Sequence, residues 1–487
     1  MAKRVAVIDI GSNSVRIVIY EKTSRFAFNL LYEAKSKVRI SQSAYSNNGN
    51  LQEIPMQRAF KALSEFSTII ASFKVRKTLC VATSALRDAP NKKDFIQKVK
   101  QKLKLNIKVI DGKKEAYLGA IACANLLPIQ KNALSIDIGG GSTEFSLIDN
   151  YDVDNTLSLE LGTVRLKELF FDNNNIDKAI EYIDTKLGIL DNLDISTLIG
   201  IGGTFRAISS AIMSAKKYPL KRLHAVEHLS KEFIDYLDLI LHANEDKLAD
   251  LYIDKNRFDI IKPGALILSR VFKKLSISKV ITSGVGVREG VYLADLLRNS
   301  KHKFPHNYNT SVKNLLDVHI TDSNFPNQVN LVSKRIFHLV YESLNINKSF
   351  LYELSIASKL STIGSNINFY TQNKSTYNLI KNSLEYGFTH RQVILIATIT
   401  RYSKNKSPSK EHLEKYSQLL PDDKIVNALS FILSLSTLLL THRPRNIDFD
   451  LKYDNGLLKV VSDKTLYLSK EAVKKLKTIN DLRISFE

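Results

Sequence analysis

Apolar positions recur along this chain in two spacings, and one arrangement of them occurs twice. In VAVIDIGSNSVRIVIYE, Val5 to Glu21, an apolar run ends at Asp9, a glycine turn follows and apolar residues resume. The pattern predicts a β-strand, a tight loop and a return strand. It returns 128 residues later as ALSIDIGGGSTEFSLID, Ala133 to Asp149, with Asp137 in the place of Asp9. Between the copies, helical spacing covers Pro55–Phe73 and Lys92–Leu105, and strand patterns cover Thr78–Ala82 and Ile107–Ile110. After the second copy the spacing predicts a helix over Asp177–Leu190, a strand ending at Ile201, a turn Gly202-Gly203-Thr204 and a helix over Phe205–Ala215. A strand at Lys279–Ser283 and a helix at Glu289–Leu297 complete this part. Such alternation marks an α/β fold, and the repeat implies two related α/β domains facing a cleft.

Beyond residue 300 the pattern changes. A polar stretch, His302–Tyr308, carries Pro305, and helical spacing then runs from Val312 to Thr441. The last residues mix strand patterns at Leu458–Val461 and Thr465–Leu468 with a basic helix near Glu471–Lys477. The expected division is therefore 1–128 and 129–300 as α/β domains, 301–445 as a helical domain and 446–487 as a small α/β segment. The uncharged run Ile425–Leu440 holds Asn427 and several hydroxyl residues and falls short of a membrane span, so it reads as a buried helix. Met1–Ile10 reads as a strand rather than a signal peptide, because Asp9 interrupts its short apolar stretch.

Charge narrows the classes of partner. Lys and Arg number 70 against 49 Asp and Glu, a net charge of +21 that attracts polyanions. No dense basic tract occurs, which disfavours nucleic acid, and no membrane association is expected; phosphate-rich small molecules remain, as does the reading that scattered lysines merely keep the chain soluble. The two cysteines, Cys80 and Cys123, lack metal or redox spacing and fit a reducing cytoplasm.

The two turns carry the candidate chemistry. Gly11, Ser12, Asn13 and Ser14 in one, and Gly139, Gly140, Gly141, Ser142 and Thr143 in the other, would expose backbone N–H groups to phosphate oxygens. Where the first copy has Arg16 the second has Glu144, so one loop ends in a phosphate-pairing guanidinium and the other in a carboxylate. Mg²⁺ prefers oxygen ligands, and Asp137 with Glu144, joined by Asp9, would serve it. Against this stand plainer roles: Asp9 and Asp137 as caps of their own turns, and Glu144 as a solvated strand residue.

These residues resemble the exopolyphosphatase/guanosine pentaphosphatase family, within the superfamily of actin, sugar kinases and chaperone ATPases. The resemblance covers roughly the first 300 residues and rests on several motifs at once. They are DIGSNS at Asp9–Ser14, VATSALRDA at Val81–Ala89, a GxxEA element at Gly112–Ala116 and DIGGGSTE at Asp137–Glu144. GIGGT at Gly200–Thr204, Arg257 six residues before Pro263-Gly264, and SGxGxREG at Ser283–Gly290 follow. The resemblance implies two actin-like (ribonuclease H-like) domains, Mg²⁺ or another divalent cation, and polyphosphate or guanosine pentaphosphate as substrate; it leaves room for a homodimer. It makes Glu115 the carboxylate that activates water and turns Arg87 and Arg257 toward substrate phosphates. Arg16, Lys37 and Arg39 match more loosely.

The helical part resembles the domain, related to HD-type metal phosphohydrolases, that long members of the family carry. Ser361-Thr362 stands where that domain has a His-acid pair, and Lys374 and Ser403 stand in place of histidines. Hydroxyl and ammonium groups are poor metal ligands, so no active metal site is expected there. Two competitors to a phosphohydrolase remain at this point: an ATP-dependent kinase of the same superfamily, and a sensor that binds polyphosphate or guanosine nucleotides without turnover.

Overall fold

A computed structural model describes residues 3–191, 193–404, 407–479 and 482–487. They form two compact units, Met1–Tyr308 and Asn309–Glu487.

The first unit holds two mixed sheets. One is built from β1 (Arg4–Ile10), β2 (Val15–Lys22), β3 (Phe28–Ser36), β4 (Lys77–Ala82) and β5 (Ile107–Val109) in the order β3-β2-β1-β4-β5. The other has β6 (Gln130–Ile138), β7 (Thr143–Asn150), β8 (Asp152–Leu159), β9 (Thr197–Ile201), β10 (Val226–Leu229) and β11 (Lys279–Thr282) in the order β10-β11-β9-β6-β7-β8. The sequence repeat is thus a topological one. In each sheet the first strand pairs antiparallel with a meander on one side (β1-β2-β3, β6-β7-β8) and parallel on the other (β4, β9). The repeat's two related α/β halves are thus present, in the actin-like architecture that the family resemblance implied.

Burial explains the strand choice. Ala6, Ile8 and Ile10 of β1 and Ile17 and Ile19 of β2 are fully buried in one core, and Leu134, Ile136 and Phe145 belong to the core of the second sheet. Each of the buried Ile, Leu and Phe side chains contributes about 1.5–3 kcal/mol. Asp9 and Asp137 sit next to last in their strands, at the carboxyl ends where open α/β sheets take ligands.

The glycine turn after β9 differs from the sequence pattern. Gly202-Gly203-Thr204 forms no separate turn; the helix Gly202–Ala215 begins on it. Gly202 has φ +88°, so the reversal is completed within one residue and the helix starts at once.

The second unit is mainly helical from Thr310 to Leu439, and the uncharged run lies in the helix Asp423–Leu439. A small sheet, β12 (Asp450–Asp454), β13 (Leu457–Val461) and β14 (Arg483–Phe486), follows. The expected strand Thr465–Leu468 is absent: Leu466 is left-handed and the helix Tyr467–Val473 begins there, ending short of the expected Lys477. Buried Ser469 donates to the carbonyl of Leu439 at 2.8 Å, a tertiary bond that fixes this turn as helix. Ser361 Oγ donates to the Ser358 carbonyl and Ser403 Oγ to the Thr400 carbonyl, while Lys374 is exposed. Among the described residues no three His, Cys, Asp or Glu side chains converge to hold a metal, and no helix is long and apolar enough to cross a membrane.

Candidate active site

The two hairpin turns have one geometry. Asp9 stands directly across from Arg16, and Asp137 directly across from Glu144. Each turn is closed by the same bond, Gly11 N to Ser14 O at 3.1 Å and Gly139 N to Ser142 O at 2.9 Å. The loops also approach closely: a Cβ on Gly140 would lie 2.9 Å from Ser12 Cβ, and one on Gly141 would lie 2.2 Å from the Tyr45 hydroxyl, so only glycine permits this approach.

Most of the residues expected from the sequence converge on one cleft. Asp9, Gly11, Ser12, Asn13, Ser14, Arg16, Glu115, Asp137, Gly139, Gly140, Ser142, Glu144 and Arg257 line it. Three others stand behind its wall. Gly141 lies under Tyr45, Thr143 is fully buried with Oγ1 donating to the Leu161 carbonyl at 2.5 Å, and Arg87 backs Glu115. Lys37 and Arg39 are engaged elsewhere: Lys37 Nζ donates to the Asn256 carbonyl at 2.7 Å and Arg39 Nη2 to Asp259 Oδ2 at 2.8 Å. Cys80 is buried in β4, and burial pushes its thiol well up, away from the reactive thiolate.

Four carboxylates line the cleft: Asp9, Glu115, Asp137 and Glu144. Asp111 caps the helix Gly112–Leu126 by accepting from Lys114 N at 2.7 Å, which sets Glu115 in its first turn. Arg87 Nη1 donates to Glu115 Oε2 at 2.8 Å and Nη2 to Ser142 Oγ at 3.2 Å, tying that carboxylate to the second loop. Burial pushes Glu115 up to about 7; Arg87 opposes the rise, while Asp137 and Asp9 add to it. Burial, with Asp9 adding to it, raises Asp137 to about 6, and Arg206 opposes this. Glu144 is raised well above the carboxylate range by burial and then by Glu115, although Ser158 Oγ donates to it at 2.8 Å. Asp9 is raised by burial too.

Arg16, Lys35, Arg206, Arg257 and Arg288 line the same cleft, Arg16 directly across the hairpin from Asp9. Burial lowers Arg16, and neighbouring Arg288 and Arg206 lower it further. Lys35 falls to about 8 through desolvation and the surrounding guanidinium groups. Arg206 Nε donates to the Ser283 carbonyl at 3.0 Å, and Arg288 is flanked by buried Glu289, which accepts from Tyr20 at 2.7 Å and from Gly286 N at 2.8 Å. The helix Gly202–Ala215 opens onto the cleft with Gly202, Gly203 and Thr204. A Cβ at Gly203 would lie 2.3 Å from the Arg257 guanidinium. Its N–H groups and dipole favour an anion there.

Sequence reasoning missed Lys35, Arg206, Arg288 and this third glycine turn as site residues. Arg288 lies inside the recognised SGxGxREG motif and Arg206 two residues past GIGGT, so motif proximity was the available signal; Lys35 carried none.

Known proteins resemble the chain over most of its length. The family model described as "Ppx/GppA phosphatase family" matches residues 18–299, and that described as "Ppx/GppA phosphatase, domain III" matches 308–475. A bifunctional 3-dehydroquinate synthase/phosphatase of Fusobacterium nucleatum subsp. nucleatum is 33% identical over 299 residues, 57% of this chain but only 44% of that protein. A guanosine-5'-triphosphate,3'-diphosphate pyrophosphatase of Photobacterium profundum is 26% identical over 408 residues, 81% of this chain and 79% of that one. Among solved structures, the Aquifex aeolicus Ppx/GppA family member superposes with a TM-score of 0.54 at 26% identity, covering 62% of this chain and 99% of its own. An exopolyphosphatase from Cytophaga hutchinsonii does so with a TM-score of 0.57 at 24% identity, covering 62% of this chain and 100% of its own, a likeness of fold.

Proposed function

The chain is a hydrolase of the Ppx/GppA phosphatase family, and we propose that its cleft removes the terminal phosphate of inorganic polyphosphate or of guanosine pentaphosphate. The observation that carries this reading is the make-up of the cleft, which brings Glu115 and three further carboxylates together with five cationic side chains and both glycine loops. A phosphate chain laid in it would meet N–H groups of the Gly11–Ser14 and Gly139–Ser142 loops and the guanidinium groups, with its terminal phosphorus beside Glu115.

Glu115 is the base in this reading. Its raised value, about 7, suits a carboxylate that is ionised in use and still basic enough to take a proton from water. Water attacks the terminal phosphorus, the bond to the bridging oxygen breaks, and the leaving chain departs as a stabilised phosphate anion. No covalent intermediate is required, so positioning and charge neutralisation do the catalysis. Arg87 orients Glu115 and, through Ser142, couples it to the second loop. Arg16 and Arg257 hold phosphate oxygens, and residues 1–128 and 129–300 act as halves that each supply one glycine loop.

Asp9, Asp137 and Glu144 fit a divalent cation. They are carboxylates raised by burial, and among the described residues none makes an ion pair within 4.0 Å. The three do not converge as a preformed cage, so Mg²⁺ would be held by one or two of them, Asp137 and Glu144 foremost, with phosphate and water oxygens completing its shell, and the ion would neutralise charge on the transferred group. The two free, buried cysteines fit a reducing cytoplasm. Incubating the purified protein with Mg²⁺ and either polyphosphate or guanosine pentaphosphate, then measuring released orthophosphate, tests the reading; release from neither overturns it.

A further inference from the structure

Behind the cleft, charged groups that the reaction does not use join the segments of the two sheets. Arg165 lies on the helix Thr163–Leu169, which follows β8. Its Nε donates to the Gly141 carbonyl at 2.9 Å and its Nη2 to Asp88 Oδ2 at 3.1 Å. The same guanidinium stacks on Tyr45, 4.6 Å from the ring centroid, and the hydroxyl of that ring is what leaves no room for a side chain at Gly141. The other oxygen of Asp88, Oδ1, lies 3.4 Å from Arg87 Nε. One carboxylate therefore bridges two arginines, Arg87 after β4 of the first sheet and Arg165 after β8 of the second.

What this bridge fixes is direction. Arg87 is engaged on every edge: Nε faces Asp88, Nη1 donates to Glu115 Oε2 at 2.8 Å and Nη2 donates to Ser142 Oγ at 3.2 Å. A guanidinium is a rigid plane, so holding Nε sets the directions in which Nη1 and Nη2 donate. Asp88 is 35% exposed, and an ion pair open to water to that degree adds little to stability. The Gly141 carbonyl belongs to the second glycine loop. Arg165 thus ties the place of that loop to Asp88, and Asp88 ties it to Arg87 and so to Glu115.

Resting on the reading of Glu115 as the base, we propose that Asp88 and Arg165 are positioning residues that lock Arg87 between the second glycine loop and Glu115, so that the carboxylate is aligned with the loop that grips the phosphate. Neither touches substrate; both act through Arg87. Without them Arg87 is free to turn about its stem, and Glu115 loses its aim at the attacking water while the loops still bind phosphate. The cost falls on kcat and leaves KM.

The test measures kcat and KM for orthophosphate release by wild type, Asp88→Asn and Arg165→Lys, each alone and combined with Glu115→Gln, on whichever of polyphosphate and guanosine pentaphosphate wild type hydrolyses. Asn keeps the shape of Asp88 without its charge, and one Lys amine cannot serve the Gly141 carbonyl and Asp88 as a guanidinium fork does. Each single variant is expected to lower kcat about 10- to 100-fold, the scale of a misplacement near 1 Å, with KM within about twofold and a urea midpoint near that of wild type. In the Glu115→Gln background the same substitutions should lower kcat less than about twofold, because residues that act through Glu115 lose nothing further once it is gone. Wild-type kcat in the single variants, or an equal fall in both backgrounds, would overturn the proposal while leaving the phosphohydrolase reading intact. Absence of released phosphate with wild type would instead defeat that reading. Crystal structures of wild type and Asp88→Asn then decide on Asp88: loss of the bond from Arg87 to Glu115 in the variant supports the positioning role, and an unchanged bond overturns it.

Discussion

Replacing Glu115 with Gln separates its chemistry from its packing. The amide has the same shape, and its carbonyl oxygen can still accept from Arg87 Nη1, which donates to Glu115 Oε2 at 2.8 Å. It cannot take a proton from water. Loss of a general base typically costs about 10² to 10⁴ in rate, so kcat should fall by that factor while substrate binding stays within a few-fold. A second consequence follows from burial. Glu115 is raised to about 7 against its ordinary 4.5, so the native chain keeps a proton that the unfolded chain gives up. Stability then falls as pH rises through that window, and above about pH 7 the whole penalty stands, on the order of 3 kcal/mol at ~1.4 kcal/mol per tenfold. Gln has no proton to lose. Chelator-treated Glu115→Gln should therefore unfold at a higher denaturant concentration than wild type at pH 8, and the gap should close toward pH 5. Orthophosphate release and urea titrations at the two pH values measure both effects. Near-normal turnover, or a fall in turnover matched by an equal fall in binding, would refute the assignment of Glu115 as the base.

Asp137→Asn should lose activity that raised Mg²⁺ partly restores, whereas Glu115→Gln should show no rescue; Mg²⁺ titration of initial rates decides this. Lys35, lowered to about 8, is charged below that pH in the free protein, so KM should rise as pH passes through about 8, and Lys35→Arg should flatten the profile. His228, which shares a 2.7 Å hydrogen bond with Ser209, is pushed down to about 4 by burial, so the unfolded chain binds a proton that the native one refuses. Stability should fall as pH drops from about 6.5 toward 4, by up to about 3 kcal/mol, and His228→Gln should remove that slope in denaturant titrations.

What the sequence disclosed and what it hid follow a physical division. The Asp9 and Asp137 turns were legible because both ends of each hairpin are local, and repetition made a common pattern specific. Glu115 had no local signature beyond a helix start, and its meaning came from the family resemblance. Arg206 and Arg288 stayed hidden because their partners lie far along the chain: Arg206 donates to Ser283 and Arg288 to Glu33. Local spacing carries no record of such pairs. Thr465–Leu468 shows the opposite failure, since four alternating residues fit a strand until the bond from Ser469 to Leu439 imposes a helix. Gly202 was seen as punctuation, and only its positive φ shows that turn and helix start coincide.

The central claim is that water, activated by Glu115, attacks the terminal phosphorus of the chain. Running the reaction in ¹⁸O-labelled water and weighing the products by mass spectrometry tests it directly. The account predicts one labelled oxygen in each released orthophosphate and none in the shortened chain. Label in the remaining chain, or pyrophosphate as the released product, would contradict it.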